Sequence, residues 1–391
     1  MYSLCTYIYT HVFFLHINII LQVEILLLIG LVAAGIYLIF QSFWPTSASS
    51  HVFDNIKTYQ STRAVNLTAF HLDSPDVFNN LPDVFLPGYR NFCWNGSNGL
   101  QLQCLPRVYF AGMPKCGTTD LYRKLSWHPD VISTVKKENH YWTKERVGNL
   151  TRVSFLDYLN KVRAEEMTEN SLLVDGSQSL LWNLRGWESR FPWADQPPYS
   201  NADMIYDVTP AAQILVLLRD PVLRLYSDYL YFGKESENRT AQSFNVETNE
   251  EVERFRACLE VKDLRLCCYD SDNSPIVRLN IGIYICYIRD WKERFGDNLM
   301  VIKLEDYHLS PVTEVMKMYE FLNLSLPDPR DLEAYIEMSP EKNTRHSWDV
   351  AKGDMMEETA VVLQEFYREF NRELSEYLRN PGLLYNYTLP N

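Results

Sequence analysis

Val108-Tyr109-Phe110-Ala111-Gly112 runs straight into Met113-Pro114-Lys115-Cys116-Gly117-Thr118-Thr119, and the reading of this stretch decides the fold. The apolar run Val108 to Gly112 predicts a short strand. After the turn at Met113 to Gly117, Leu121 and Leu125 lie one turn apart and predict a helix from Thr118 to Trp127, ended by Pro129. A strand, tight turn and helix in this order aim backbone N–H groups and a helix N-terminus at one point, which is a cradle for a phosphate-type anion. A Walker A loop would place Lys directly after the second Gly, followed by Ser or Thr. Thr118 stands there instead, Lys115 precedes Gly117 by two residues, and no clear Walker B acid follows, so a nucleotide triphosphatase or kinase fits poorly. The competing reading is an ordinary strand-turn-helix in which Gly117 serves only backbone angles.

Further along, Ile214 to Leu218 is an unbroken apolar run of the kind a buried parallel strand requires, stopped by Arg219-Asp220-Pro221 before a helical stretch, and Leu299 to Leu304 reads as another strand. Between them Ile281, Tyr284, Ile288, Trp291 and Phe295 form a helical stripe closed by Gly296, whose default reading is core packing. Val362, Phe366, Phe370, Leu374 and Leu378 recur every four residues among charges and predict a long surface helix. Strands alternating with helices predict an α/β fold with a mainly parallel sheet, whose ligands sit at the carboxyl ends of the strands.

The composition, 46% hydrophobic and 14% aromatic with 22% charged residues, excludes disordered, collagen-like and coiled-coil chains. A net charge of −13 argues against a general nucleic-acid binder, which needs a cationic surface. Any anion site is therefore local. From Arg107 to Arg152 nine basic residues stand against four acidic ones, a local excess of +5 (9 − 4) that contains Lys136-Lys137-Glu138-Asn139-His140-Tyr141-Trp142. Arg219, at a strand end, and Ser227, eight residues on, are placed to grip a further phosphate, although Arg219 would equally suit a salt bridge to Asp220 or Asp228.

Residues 1–44 carry one formal charge, Glu24, and Ile25 to Trp44 are uncharged over the length of a membrane span. An uncleaved anchor is expected, with a cleaved signal peptide or an imperfect gene start as alternatives. Residues 45–103 read as a lumenal stem that partly packs on the domain, and residues 104–391 as the folded domain. Glycosylation triplets at Asn66, Asn95, Asn149, Asn238, Asn323 and Asn386 suit a chain whose bulk faces the secretory lumen. In such an oxidising compartment Cys93 with Cys104, and Cys258 with Cys267, are plausible local disulfides. A metal site is the competing reading of the cysteines, and no CxxC or HxxxH pair supports it.

Taken together, the Pro114 to Tyr122 loop, the Lys137-Glu138-X-His140-X-Trp142 string, Leu218-Arg219-Asp220-Pro221 with Arg224 to Phe232, and Ser339-Pro340 with Asn343-Thr344-Arg345 resemble the membrane-bound Golgi carbohydrate sulfotransferases. The resemblance covers about Cys104 to Leu378. It implies a P-loop-like sulfotransferase fold, 3′-phosphoadenosine 5′-phosphosulfate (PAPS) as co-substrate with no metal, and a single-pass type II Golgi membrane protein with a lumenal catalytic domain. It further implies a sulfated glycosaminoglycan acceptor, best matched by O-6 of N-acetylgalactosamine 4-sulfate in chondroitin or dermatan sulfate. A heparan sulfate sulfotransferase and a non-catalytic glycan-binding membrane protein on the same fold are the alternatives.

By the same resemblance Glu138 is the base for the sugar hydroxyl, and Lys115 offsets charge on the leaving oxygen. The loop Lys115, Cys116, Gly117, Thr118 and Thr119 binds the 5′-phosphosulfate, while Arg219, Ser227 and Arg345 hold the 3′-phosphate. His140 orients Glu138, touches the acceptor or is structural; Trp142 is a stacking platform for a sugar or a core residue. The family's Glu-Pro-His-Trp-Trp is Glu138-Asn139-His140-Tyr141-Trp142 here, and its Gly-Glu-Ala-Ser-Ala-Ser is Val174-Asp175-Gly176-Ser177-Gln178-Ser179, departures that bear on the acceptor.

Overall fold

The computed structural model describes residues 65–96, 101–147, 152–162, 166–184, 186–233, 239–270, 276–339 and 352–385, all within one unit, residues 61–391. Among the described residues, seven short strands and the helices between them build the molecule. The expected span Ile25 to Trp44, the triplets at Asn149, Asn238 and Asn386, and Arg345 lie outside the described residues. Among the described residues no helix is long and apolar enough to cross a membrane.

Strands β1 (Phe92–Asn95) and β2 (Leu102–Leu105) form an antiparallel hairpin in which Cys93 faces Cys104, and a disulfide joins the two. The hairpin straddles the expected join between stem and domain. The sheet itself contains β3 (Val108–Gly112), β4 (Val131–Ser133), β5 (Leu172–Asp175), β6 (Gln213–Leu218) and β7 (Leu299–Lys303), in the order β4-β5-β3-β6-β7 with every pairing parallel. All residues of β3, β5 and β6 are buried, which is why β3 and most of β6 read as unbroken apolar runs rather than alternating ones. From β3 the chain winds toward β4, and from β6 it winds the other way toward β7. A crevice therefore opens between the carboxyl ends of β3 and β6, where open α/β sheets bind ligands.

The helices that position the site and close the core are α1 (Leu67–Asp73), α2 (Thr118–Leu125), α3 (Asn201–Val208), α4 (Pro221–Phe232), α5 (Ala241–Val261), α6 (Tyr284–Phe295), α7 (Pro311–Phe321) and α8 (Glu357–Leu378). The predicted stripe of α6 is core, with Tyr284, Ile288, Trp291 and Phe295 all buried, and Gly296 ends the helix at φ +52°. The C-terminal helix departs from expectation: α8 is packed against α5 and α6, with Leu363, Phe366, Tyr367, Phe370 and Leu374 buried. A side chain every fourth residue drifts about 40° per step on a helix of 3.6 residues per turn. The ends of the expected stripe, Val362 and Leu378, therefore rotate out to half-buried positions, while Leu363 and Tyr367 rotate in.

The N-terminal segment is tied to the elements that carry the site. Asp73, at the end of α1, accepts from Arg146 (2.9 Å), Arg190 (2.9 Å) and the Tyr199 hydroxyl (3.0 Å). Arg146 is 2% exposed and also reaches Ser74, so its charge is neutralised inside the protein. Cys258 and Cys267 are joined at the far end of α5. The triplet residues Asn66, Asn95 and Asn323 are all exposed.

Candidate active site

The turn between β3 and α2 has two left-handed residues, Lys115 at φ +65° and Gly117 at φ +78°. Only Gly fits the second. A Cβ at 117 would lie 2.7 Å from Leu304 Cδ1, and the conformation itself disfavours any L side chain. Met113 N–H donates to Leu217 C=O at 2.9 Å, which seats the turn on the end of β6. The Cys116 side chain points into the protein, its Sγ 3.7 Å from the Pro114 carbonyl oxygen, and burial pushes its thiol up to about 12. It is neither a nucleophile nor a metal ligand there, and only its backbone is left to face an anion.

Lys115, Gly117, Thr118 and Thr119 line a cleft of about 580 Å³ together with Glu138, His140, Arg219 and Ser227, within the size range of small-molecule sites. The sequence-predicted residues that are described thus converge from three segments of the chain, 115–119, 138–140 and 219–227, Cys116 excepted. Arg219 donates to the Lys115 carbonyl at 3.3 Å, holding the β3–α2 turn to the end of β6. Neither of the carboxylates near it in sequence is idle. Asp220 caps α4 through Val222 N–H (2.9 Å), and Asp228 engages Arg278 and Arg224. The Lys115 ammonium lies 3.7 Å from the centre of the Tyr231 ring, a cation–π contact that leaves it at the cleft wall.

Glu138 follows β4 and also lines the cleft, its side chain 30% exposed. Oε1 accepts from Lys137 Nζ at 3.1 Å and from Gln178 Nε2 at 2.8 Å, and Oε2 lies 3.5 Å from His140 Nε2. Burial alone would raise its pKa. The hydrogen bond with His140, the charge and hydrogen bond of Lys137, and the Gln178 amide outweigh it and bring the carboxyl from 4.5 down to about 2. Glu138 is therefore a fully ionised carboxylate.

The loop after β5 explains how this arrangement is held. Buried Asp175 accepts from Asn139 Nδ2 (2.9 Å), Ser177 N–H (2.9 Å) and Tyr158 (3.2 Å), while burial raises its own pKa against those bonds. Ser177 Oγ accepts from His140 N–H at 3.0 Å, and Ser179 Oγ is 2.7 Å from His140 Nδ1. His140 itself is left-handed at φ +51°. Asp175, Ser177 and Ser179 thus fix the backbone and ring of His140, and through the ring the orientation of Glu138.

Two features escaped the sequence reading, and a third settles an alternative it left open. Gln178 touches both Glu138 and Thr118, and only its place in the departed Asp175-Gly176-Ser177-Gln178-Ser179 segment hinted at it. Lys137, inside the quoted string, bridges Glu138 and the phosphate loop. Trp142 is 2% exposed and packs with Tyr141, Phe155 and Tyr158, so it is core and not a sugar platform. The aromatics that line the cleft are Trp182, Tyr226, Tyr231, Phe232 and Tyr307, with Arg278 lying over the Phe232 ring at 4.2 Å. Among the described residues no group of three or more His, Cys, Asp or Glu could hold a metal ion.

Comparison with known proteins bears on this geometry. The chain is 35% identical over 378 residues to carbohydrate sulfotransferase 15 of Mus musculus, covering 88% of this chain and 66% of that one. With carbohydrate sulfotransferase 15 of Homo sapiens it shares 35% identity over 317 residues, 74% of this chain and 56% of that one. The chain thus spans between about half and two thirds of the length of these relatives. A crystal structure of a sulfotransferase from Alicyclobacillus acidocaldarius superposes with a TM-score of 0.48 at 23% identity, covering 70% of this chain and 96% of that one. Residues 105–380, which carry the cradle, Glu138, Gln178, Arg219 and Ser227, match the sulfotransferase domain model, and the chain belongs to the sulfotransferase family.

Proposed function

We propose that the chain transfers a sulfuryl group from PAPS to a hydroxyl of a glycosaminoglycan sugar, with O-6 of N-acetylgalactosamine 4-sulfate in chondroitin or dermatan sulfate as the acceptor position. The observation that carries the reading is the cleft itself, in which an anion cradle with Lys115, Thr118 and Thr119 faces an ionised carboxylate while Arg219 and Ser227 extend the same surface. The donor supplies sulfur in a mixed anhydride with phosphate. The sugar oxygen bonds to sulfur and gives its proton to Glu138, the bond from sulfur to the bridging oxygen breaks, and its electron pair leaves on the nucleotide phosphate. Lys115 and the loop N–H groups offset the charge that develops there, so their contribution is largest in the transition state. His140 orients the carboxylate, and Arg219 and Ser227 take the 3′-phosphate. Metal is not needed, since fixed cations and N–H dipoles perform the electrostatic work.

A lumenal, Golgi-anchored topology is part of the same reading and is supported by the exposed triplets at Asn66, Asn95 and Asn323 and by the two disulfides. The test is transfer of labelled sulfate from PAPS to defined chondroitin, dermatan and heparan oligosaccharides, followed by disaccharide analysis to locate the new ester. Label at O-6 of the 4-sulfated residue supports the acceptor. Label only in heparan refutes the acceptor while keeping the chemistry, and no label with any acceptor refutes both.

A further inference from the structure

Two side chains from different segments bridge the phosphate loop and the base. The Lys137 ammonium donates to Thr119 Oγ1 at 3.1 Å and to Glu138 Oε1 at 3.1 Å, and lies 3.5 Å from Thr118 Oγ1. Gln178 forms a parallel link: Thr118 Oγ1 donates to its Oε1 at 3.3 Å, and its Nε2 donates to Glu138 Oε1 at 2.8 Å. Both bridges end on the same carboxylate oxygen. The Lys137 bridge begins on both the Thr118 and Thr119 hydroxyls and the Gln178 bridge on that of Thr118, the two hydroxyls that the sulfotransferase reading places on the phosphosulfate.

We propose that Lys137 and Gln178 are positioning residues that couple donor binding to the readiness of Glu138. An anion seated on Thr118 and Thr119 carries more charge than one carboxylate and competes with Glu138 for the Lys137 ammonium. As Lys137 turns to the anion, Oε1 loses a cation and keeps the Gln178 amide, which holds it in place. A carboxylate relieved of a neighbouring cation is a stronger base, so Glu138 becomes able to take the hydroxyl proton only once the sulfur electrophile is present. The depressed pKa of Glu138 agrees with the clamped arrangement. The two bridges differ in what they do. Lys137 responds to the donor, whereas Gln178, being neutral, sets direction.

The inference rests on the sulfotransferase reading, and the experiment separates the two. Full-chain parent, Gln178→Met, Lys137→Met and Lys137→Arg are compared by initial rates with PAPS and chondroitin sulfate, and by calorimetric titration with adenosine 3′,5′-bisphosphate. Gln178→Met keeps side-chain bulk and removes the amide. It is expected to lower kcat about 10- to 100-fold, the effect of one charge-assisted hydrogen bond, with bisphosphate affinity and acceptor KM within about threefold. Lys137→Met is expected to raise the PAPS KM and lower kcat together, and Lys137→Arg to recover most of both. A Gln178→Met enzyme with kcat within twofold of the parent, or a Lys137→Met enzyme altered in kcat alone, overturns the coupling while leaving the sulfotransferase reading intact. A parent that neither binds the bisphosphate nor transfers sulfate overturns both.

Discussion

Replacing Gly117 by Ala tests whether the cradle is built as described, because two separable penalties meet at that position. The backbone is left-handed, which for an L side chain costs about 1–2 kcal/mol. The new Cβ would also lie 2.7 Å from Leu304 Cδ1, and Leu304 is 6% exposed, so the methyl has little room to retreat. Overpacking of that kind costs about 1–3 kcal/mol, which brings the expected total to about 2–5 kcal/mol. Gly186 supplies the control, since it has nearly the same angle, φ +77°, and nothing within 4 Å of its added Cβ. Gly186→Ala should lose only the backbone part, about 1–2 kcal/mol. Urea unfolding of the two variants and the parent, with slopes compared to guard against changes in the unfolded state, reads the difference. Adenosine bisphosphate affinity should fall in Gly117→Ala and hold in Gly186→Ala. Equal losses of stability would show that Leu304 yields freely and that the close approach of loop and Leu304 is not what fixes the turn.

The remaining predictions concern charge. Glu138→Gln should reduce transfer about 10²- to 10⁴-fold while retaining bisphosphate binding, and near-parent turnover would remove it as the base. Because folding depresses the Glu138 pKa from 4.5 to about 2, its ionisation stabilises the protein fully above about pH 4.5, and that stabilisation is lost as pH falls through 2. Glu138→Gln should therefore flatten the acid side of the stability curve over that window, and an unchanged slope in acid unfolding would contradict the clamp. Arg219→Ala should weaken bisphosphate binding by about 10- to 100-fold, with acceptor KM affected much less, and parallel losses in both would displace it from the donor side. Asp73→Ala leaves Arg146 buried without its carboxylate and should cost about 3 kcal/mol; a loss below about 1 kcal/mol in urea would mean that α1 is not an integral part of the fold.

Much of this site was legible because its chemistry is local. The cradle is a run of adjacent residues whose backbone angles follow from Gly and from strand-to-helix geometry, so Val108 to Thr119 announced it directly. Glu138 and Arg219 became readable only as members of motifs resembling a family, since a carboxylate beside two lysines or an arginine beside an aspartate is ambiguous in isolation. Gln178 was not legible as a partner of Glu138: forty residues separate them, and their contact depends on β5 lying between β4 and β3. Trp142 illustrates an alternative that the sequence left open. Its position in the string suited a cleft aromatic or a core residue equally, and its packing against Tyr141, Phe155 and Tyr158 in the interior decides for the core.

The sequence by itself determined the α/β class and a strand-turn-helix shaped to cradle an anion, because apolar runs and turn chemistry act over a few neighbouring residues, whereas Glu138 as the candidate base came only from the family resemblance. Tertiary structure alone decided that Lys137 and Gln178 join base to loop, that Asp175 and Ser179 aim His140, and that Asp73 is wired to Arg146. The reason is physical. A hydrogen bond acts only across about 3 Å, and which side chains come that close is set by strand order and parallel register, properties of the assembled sheet that no short stretch of chain contains.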